Sequence, residues 1–247
     1  MKTLLTTAAL LAIASPVIAQ TVAPALTKAL ADPSRPAEDV ARDAARHPGQ
    51  ILSFARVKPG DKVADFIMGG GYWTRILSAA VGPQGRVYAY QPAEFIQFKA
   101  QYGTDQDAAV KDRANVTPLR PSLGAFSFAE PLDAIITVQN YHDLHLSMVP
   151  PGFAATAAKK LYDSLKPGGT LLVVDHVANA DPGFTAPDKL HRIDPAAARK
   201  EIEGVGFKFD GELPLLRAAG DPRTASVFDP SIRGKTDQFV YRFVKPK

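Results

Sequence analysis

The chain has 247 residues, 46% of them hydrophobic and 22% charged, with a formal charge of +4 and no cysteine. This is ordinary globular composition with apolar residues enough for one sizeable core, and it excludes disulfides, thiolate metal sites and a cysteine nucleophile. The basic residues are dispersed rather than gathered into a stripe, so no nucleic-acid partner is expected.

Met1-Lys2, the apolar run Leu4 to Ile13 and the small-residue stretch Ser15-Pro16-Val17-Ile18-Ala19 have the three parts of a secretory signal, with processing expected after Ala19. The run is too short to span a bilayer, and no later segment approaches that length. The expectation is therefore an exported chain, periplasmic or secreted, without a membrane span once residues 1–19 are removed. A helical lead-in over residues 20–50 and one domain over 51–247 should follow.

Ser34 is placed to cap a helix with Pro36 in its first turn, and Pro48-Gly49 interrupts it before a second helix over Gln50 to Arg56. After the turn Lys58-Pro59-Gly60-Asp61 come a strand over Lys62 to Ile67, a helix over Thr74 to Val81 and a strand over Arg86 to Tyr90. Residues 93–112 read as a helix broken near Gly103, followed by strands at Val116 to Leu119 and Leu132 to Val138. Phe153 to Leu165 is helical, Lys166-Pro167-Gly168-Gly169 stops it, and Thr170 to Asp175 is a buried strand. A helix over Pro195 to Glu203 precedes closing strands near Phe207 to Leu213 and Gln238 to Val244. Alternating strands and helices predict an α/β fold with a parallel sheet covered on both faces.

Ligands of open α/β sheets bind outside the carboxyl ends of the strands. Gly69-Gly70-Gly71 lies at such an end and leads into a helix, where glycine permits close backbone approach and positive φ. The spacing alone serves a cofactor loop or tight strand–helix packing equally well.

The pattern Asp65-x-Ile67-x-Gly69-x-Gly71 resembles the acidic, glycine-rich first loop of class I S-adenosylmethionine-dependent methyltransferases. Gly85 to Tyr90, Leu132 to Ile136 and Leu165-Lys166-Pro167-Gly168-Gly169-Thr170-Leu171 match further strands of that family in order. A narrower likeness, to a bacterial group of exported predicted methyltransferases, is carried by Gly69 to Tyr72, Asn140 to Leu144, His191 to Pro195 and Thr236 to Val240. The resemblance implies a Rossmann-like seven-stranded sheet, mostly parallel with an antiparallel last strand and helices on both faces. It also implies S-adenosylmethionine at Gly69, Gly70, Gly71 and Asn140, with Asp65 supporting the loop and Gln91 or Glu94 near the ribose. Two positions depart from the family: Ile67 stands where its first glycine is usual, and Gln91 where an acid is common.

Methyl transfer is an in-line displacement that needs aligned reactants, and a base where the acceptor carries a proton. In Asn140-Tyr141-His142-Asp143-Leu144-His145, His142 is the candidate base, since neutral imidazole is at hand at a reference pKa near 6.5. Asp143 would orient it and Tyr141 would stand beside it, although packing under a loop is an equal reading of each. His142 and His145 with Asp175 or His176 offer an alternative, a metal-assisted hydrolase, but without the H-E-x-x-H signature. Tyr72-Trp73 reads as an aromatic staple or a pocket wall, and Leu215 to Lys235 as a lid or a surface excursion. The sequence thus points to a methyltransferase for a small acceptor. An exported binding module without catalysis is the other reading, because the methyl donor is made in the cytosol.

Overall fold

The computed structural model describes residues 22–247, so the export signal expected in 1–19 lies outside the described part. Four short helices come first: α1 (Pro24–Leu30), α2 (Ala37–Val40), α3 (Asp43–Arg46) and α4 (Pro48–Phe54). They precede β1 (Lys62–Phe66), α5 (Tyr72–Val81) and β2 (Arg86–Tyr90). Next come α6 (Ala93–Phe98), α7 (Gln101–Val110), β3 (Val116–Leu119) and β4 (Leu132–Val138). The chain continues through α8 (Phe153–Ser164), β5 (Leu165–His176), α9 (Ala186–Leu190) and α10 (Pro195–Gly204) to β6 (Lys208–Glu212) and β7 (Gln238–Val244). Among the described residues no helix is long and apolar enough to cross a membrane.

The seven strands form one sheet in the order β3-β2-β1-β4-β5-β7-β6. β7 runs antiparallel to both its neighbours and the other pairings are parallel, as expected. Alternation along the strands divides the core into two halves. Ala64, Phe66, Leu171 and Val173 pack with α8 and α10 on one face. Val63, Leu172 and Val174 pack with α1, α4 and α5 on the other. Chain order reverses between β1 and β4, and the crevice at their carboxyl ends is the place where such sheets bind ligands.

Several local expectations differ. Pro48-Gly49 opens α4 rather than interrupting ahead of it. Ser34 does not cap a helix; its N–H is taken by Asp32 Oδ1 at 2.9 Å, and the next helix starts at Ala37, after Pro36. The break in residues 93–112 falls at Lys99-Ala100 rather than at Gly103. Gly103 instead lies inside α7, where an added Cβ would come within 3.2 Å of Ile96, so its smallness lets α6 and α7 meet. The Lys166 to Gly169 stop is drawn into β5, because Leu165 already pairs with Leu132.

Candidate active site

The corner after β1 is built on an unusual backbone. Ile67 has φ 62°, a conformation that costs a β-branched residue strain and persists only where its surroundings impose it. Here Asn140 Nδ2 donates to Ile67 O and to Val138 O, each at 2.7 Å, tying the end of β1 to the end of β4. The Ile67 side chain packs into the core, so it does not crowd the loop. Asp65, fully buried, accepts from Thr74 Oγ1 at 2.6 Å and so fastens β1 to the first turn of α5. Burial pushes its carboxyl up to about 6, partly offset by that hydrogen bond.

The three glycines divide into two kinds. An added Cβ would meet nothing at Gly69 and only Asp105, at 3.9 Å, at Gly70. At Gly71 it would fall 2.3 Å from the Ala109 Cβ. Gly71, with φ 80°, is thus a packing glycine that lets α7 lie on the start of α5, while Gly69 and Gly70 leave an open face.

Both residues expected near a ribose are engaged with the protein. Gln91 is buried and its Oε1 accepts from Gly69 N at 2.9 Å. Only the carbonyl end of the amide can accept from an N–H, so the orientation is fixed, and the buried Nε2 is left without a partner among the described residues. Glu94 accepts from Leu123 N at 3.0 Å. Arg46, not singled out by the sequence, reaches across from α3 to Gln139 Oε1 at 3.4 Å and lies 4.8 Å above the Tyr72 ring. Tyr72 itself donates to Asp43 at 2.6 Å and Trp73 packs edge-on against it, so the pair is an aromatic staple.

Across the crevice, the ends of β4 and β5 assemble a chain of carboxylate, imidazole and carboxylate. Asp175, fully buried at the end of β5, accepts from His142 N, His142 Nδ1 and His176 N, each at 2.8 Å. On the other side of the ring His142 Nε2 lies 3.2 Å from Asp143 Oδ1. Burial disfavours charge on His142, but the Asp175 and Asp143 carboxylates outweigh it and hold the ring up at about 9. His142 is therefore imidazolium at neutral pH, not the neutral ring expected from the reference value. Asp143 is pushed up to about 6 by burial and by Asp175, against the opposing pull of His142. Burial and the His142 charge lower His191, and burial lowers His176 to about 4, so these two are the neutral imidazoles of the site.

A cavity of about 560 Å³ opens above this chain. Asn140, His142, Asp143, His176 and His191 line its floor, and Phe95, Phe98, Tyr102, Met148, Val227 and Phe228 line its walls. The segment expected as lid or excursion supplies Val227 and Phe228. It is clamped by a fully buried ion pair, Arg192 Nη1 to Asp221 Oδ2 at 2.7 Å, and by Arg192 Nε to Ala225 O at 2.9 Å.

The structure brings His142, Asp143 and Asn140 together in one cavity and leaves Tyr141 out of it. Tyr141 is fully buried in the core, where its hydroxyl donates to Glu201 at 2.7 Å. His145 is also turned away, 3.2 Å from Glu201 and stacked on Phe184 at 3.9 Å, so the expected His142–His145 pairing on one face does not form. The acidic and histidine ligand atoms that do converge, within 4.8 Å, are those of His142, Asp143 and His191. Asp175 and His191 carry more of the site than sequence reasoning gave them, their signal being a polar residue at a strand end and a histidine in the following loop.

No protein-family model and no curated protein matches the chain. Solved structures do. An S-adenosylmethionine-dependent methyltransferase from Aquifex aeolicus aligns with a TM-score of 0.57 at 20% identity, covering 89% of this chain and 98% of that one. The N-methyltransferase NodS from Bradyrhizobium japonicum aligns with 0.56 at 13% identity, covering 82% and 96%. A TehB-like S-adenosylmethionine-dependent methyltransferase from Corynebacterium glutamicum aligns with 0.52 at 14% identity, covering 80% and 86%. With the strand order and the antiparallel β7, these likenesses establish that the chain has the Rossmann-like fold of class I methyltransferases.

Proposed function

We propose that the protein is an S-adenosylmethionine-dependent methyltransferase whose small acceptor binds over Asp143. The observation that carries this reading is the placement, after the two strands that flank the switch point, of an open glycine corner and of a carboxylate with a raised pKa, the two loops being tied together by Asn140. The residues present fit the donor: Gly69 and Gly70 leave room for close approach, and the buried, unpaired Gln91 Nε2 can donate to an oxygen of a ligand held there. Asn140 and Asp65 act as positioning residues that fix the loop, and Arg46 puts a cation beside the same crevice. When bound, S-adenosylmethionine supplies an electrophilic methyl carbon whose bond to sulfur breaks with the electron pair leaving on sulfur.

In this reading Asp143, not His142, takes the acceptor's proton. A carboxylate at about 6 is mostly ionised at neutral pH yet close enough to it to receive a proton efficiently. His142, anchored by Asp175, stays positively charged, holds Asp143 in place and favours negative charge developing on the acceptor. A bare binding module would not require that buried chain of charges. The test is transfer of a tritiated methyl group from S-adenosylmethionine to a panel of phenols, thiols and amines. Transfer by the native chain and its loss by at least about a hundredfold in Asp143→Asn is the expected result. Equal transfer by Asp143→Asn would remove Asp143 from the base role, and no transfer to any acceptor class would count against the activity.

A further inference from the structure

Three of the four large apolar side chains that the described surface leaves in water converge on one place. Phe98, Met148 and Phe228 are 80%, 60% and 57% exposed, and all three rim the cavity above His142, Asp143 and His191. They come from three separate parts of the chain: the end of α6, the turn after His145 and the clamped segment before β7. Among the described residues the remaining exposed large hydrophobic is Val40. Such a concentration around a concave site with a polar floor marks a binding surface rather than ordinary surface scatter. Met148, unbranched and flexible, can adapt to an irregular apolar shape. His191 lies 5.4 Å from the His142 ring and 4.8 Å from the Phe228 ring, edge-on to each, so floor and rim are continuous.

We propose that the acceptor is an amphiphile, with a single hydroxyl head that reaches Asp143 and an apolar ring or chain lying between Phe98, Met148 and Phe228. That the ligand is a methyl acceptor rests on the methyltransferase reading, whereas the fit of head and tail does not depend on the donor. A purely polar acceptor would leave the rim in water, and a purely apolar one would bury the charges of the floor without a partner.

Calorimetric titration of the whole chain with 4-hexylphenol and with phenol, each without donor, tests the inference. Saturable one-to-one binding of 4-hexylphenol, at least about tenfold tighter than phenol, is expected, since each buried methylene adds to affinity. Phe98→Ser and Phe228→Ser should each remove most of that gain while leaving the binding of S-adenosylmethionine unchanged. Equal affinity for the two phenols, or no effect of either substitution, would overturn the proposal. Competition between 4-hexylphenol and S-adenosylhomocysteine would also overturn it, because the apolar rim would then belong to the donor. Sedimentation of the chain with phosphatidylcholine vesicles, with no preference for 4-hexylphenol, would assign the rim to a lipid surface instead. Tight 4-hexylphenol binding by a chain that binds no S-adenosylmethionine would refute the methyltransferase reading and leave the ligand class standing.

Discussion

Replacing Asp175 by asparagine removes the charge that sets the protonation of the site. Asp175 accepts three hydrogen bonds at 2.8 Å, and whichever way an asparagine amide lies, one of its ends presents N–H to an N–H. The raised His142 value, from an ordinary 6.5 to about 9, corresponds to about 3 kcal/mol of net preference for imidazolium, what is left of the Asp175 and Asp143 attraction after the opposing cost of burial. Loss of the Asp175 charge should bring His142 down by more than one unit, towards its ordinary value. The assay is an NMR pH titration of the ring carbon and proton signals, with Asp143→Asn as a second variant to assign the share of each carboxylate. The same linkage acts on stability. A histidine raised in the fold contributes fully below 6.5 and loses that contribution as pH rises through about 9, so native unfolding free energy should fall across this window and the variant's should fall less. A native His142 titrating near 6.5, or one unmoved by Asp175→Asn, would refute the reasoning.

Gly71→Ala should cost about 2–4 kcal/mol in urea unfolding, since a Cβ would fall 2.3 Å from Ala109 at φ 80°, whereas Gly69→Ala should cost about 1 kcal/mol; equal costs would erase the distinction between packing and open glycines. Arg192→Met leaves the buried Asp221 carboxylate without its partner and should destabilise by about 3–5 kcal/mol, and a change below about 1 kcal/mol would show that the clamp is not a structural element. Methyl transfer should follow a bell-shaped pH profile, rising as Asp143 ionises near 6 and falling as His142 loses its proton near 9, with the falling limb moved to lower pH in Asp175→Asn; a profile rising steadily past 9 would restore neutral His142 as the base.

The centre of the sheet was legible because parallel strands buried on both faces, such as Leu132 to Val138, read as short apolar runs; Arg86 to Tyr90, Val116 to Leu119 and the antiparallel Gln238 to Val244 also carry the expected bounds. The glycine corner was legible in position but not in division of labour, since the clash that makes Gly71 a packing residue comes from Ala109, on another helix. The same limit applies to chemistry. His142 could be named from its place after β4, yet its charge is set by Asp175, a partner 33 residues away that only the β4–β5 pairing brings alongside. Tyr141 and His145 share that short turn and face Glu201 on α10 instead, a direction that neighbouring residues do not encode. The apolar rim was not legible as a unit, because Phe98, Met148 and Phe228 belong to three distant segments, of which only the one carrying Phe228 reads as a lid or excursion.

The most direct test of the central claim is binding of S-adenosylmethionine and S-adenosylhomocysteine, followed by thermal unfolding with calorimetric titration as confirmation. Saturation at a hundred times the dissociation constant adds about 2.7 kcal/mol, which for a domain of this size raises the midpoint by roughly 5–10 °C. The account predicts that shift with one-to-one heat for both compounds, and its loss in Gly70→Val, a substitution that fills the open face at a position without positive φ. No shift and no heat at millimolar concentration of either compound would contradict it.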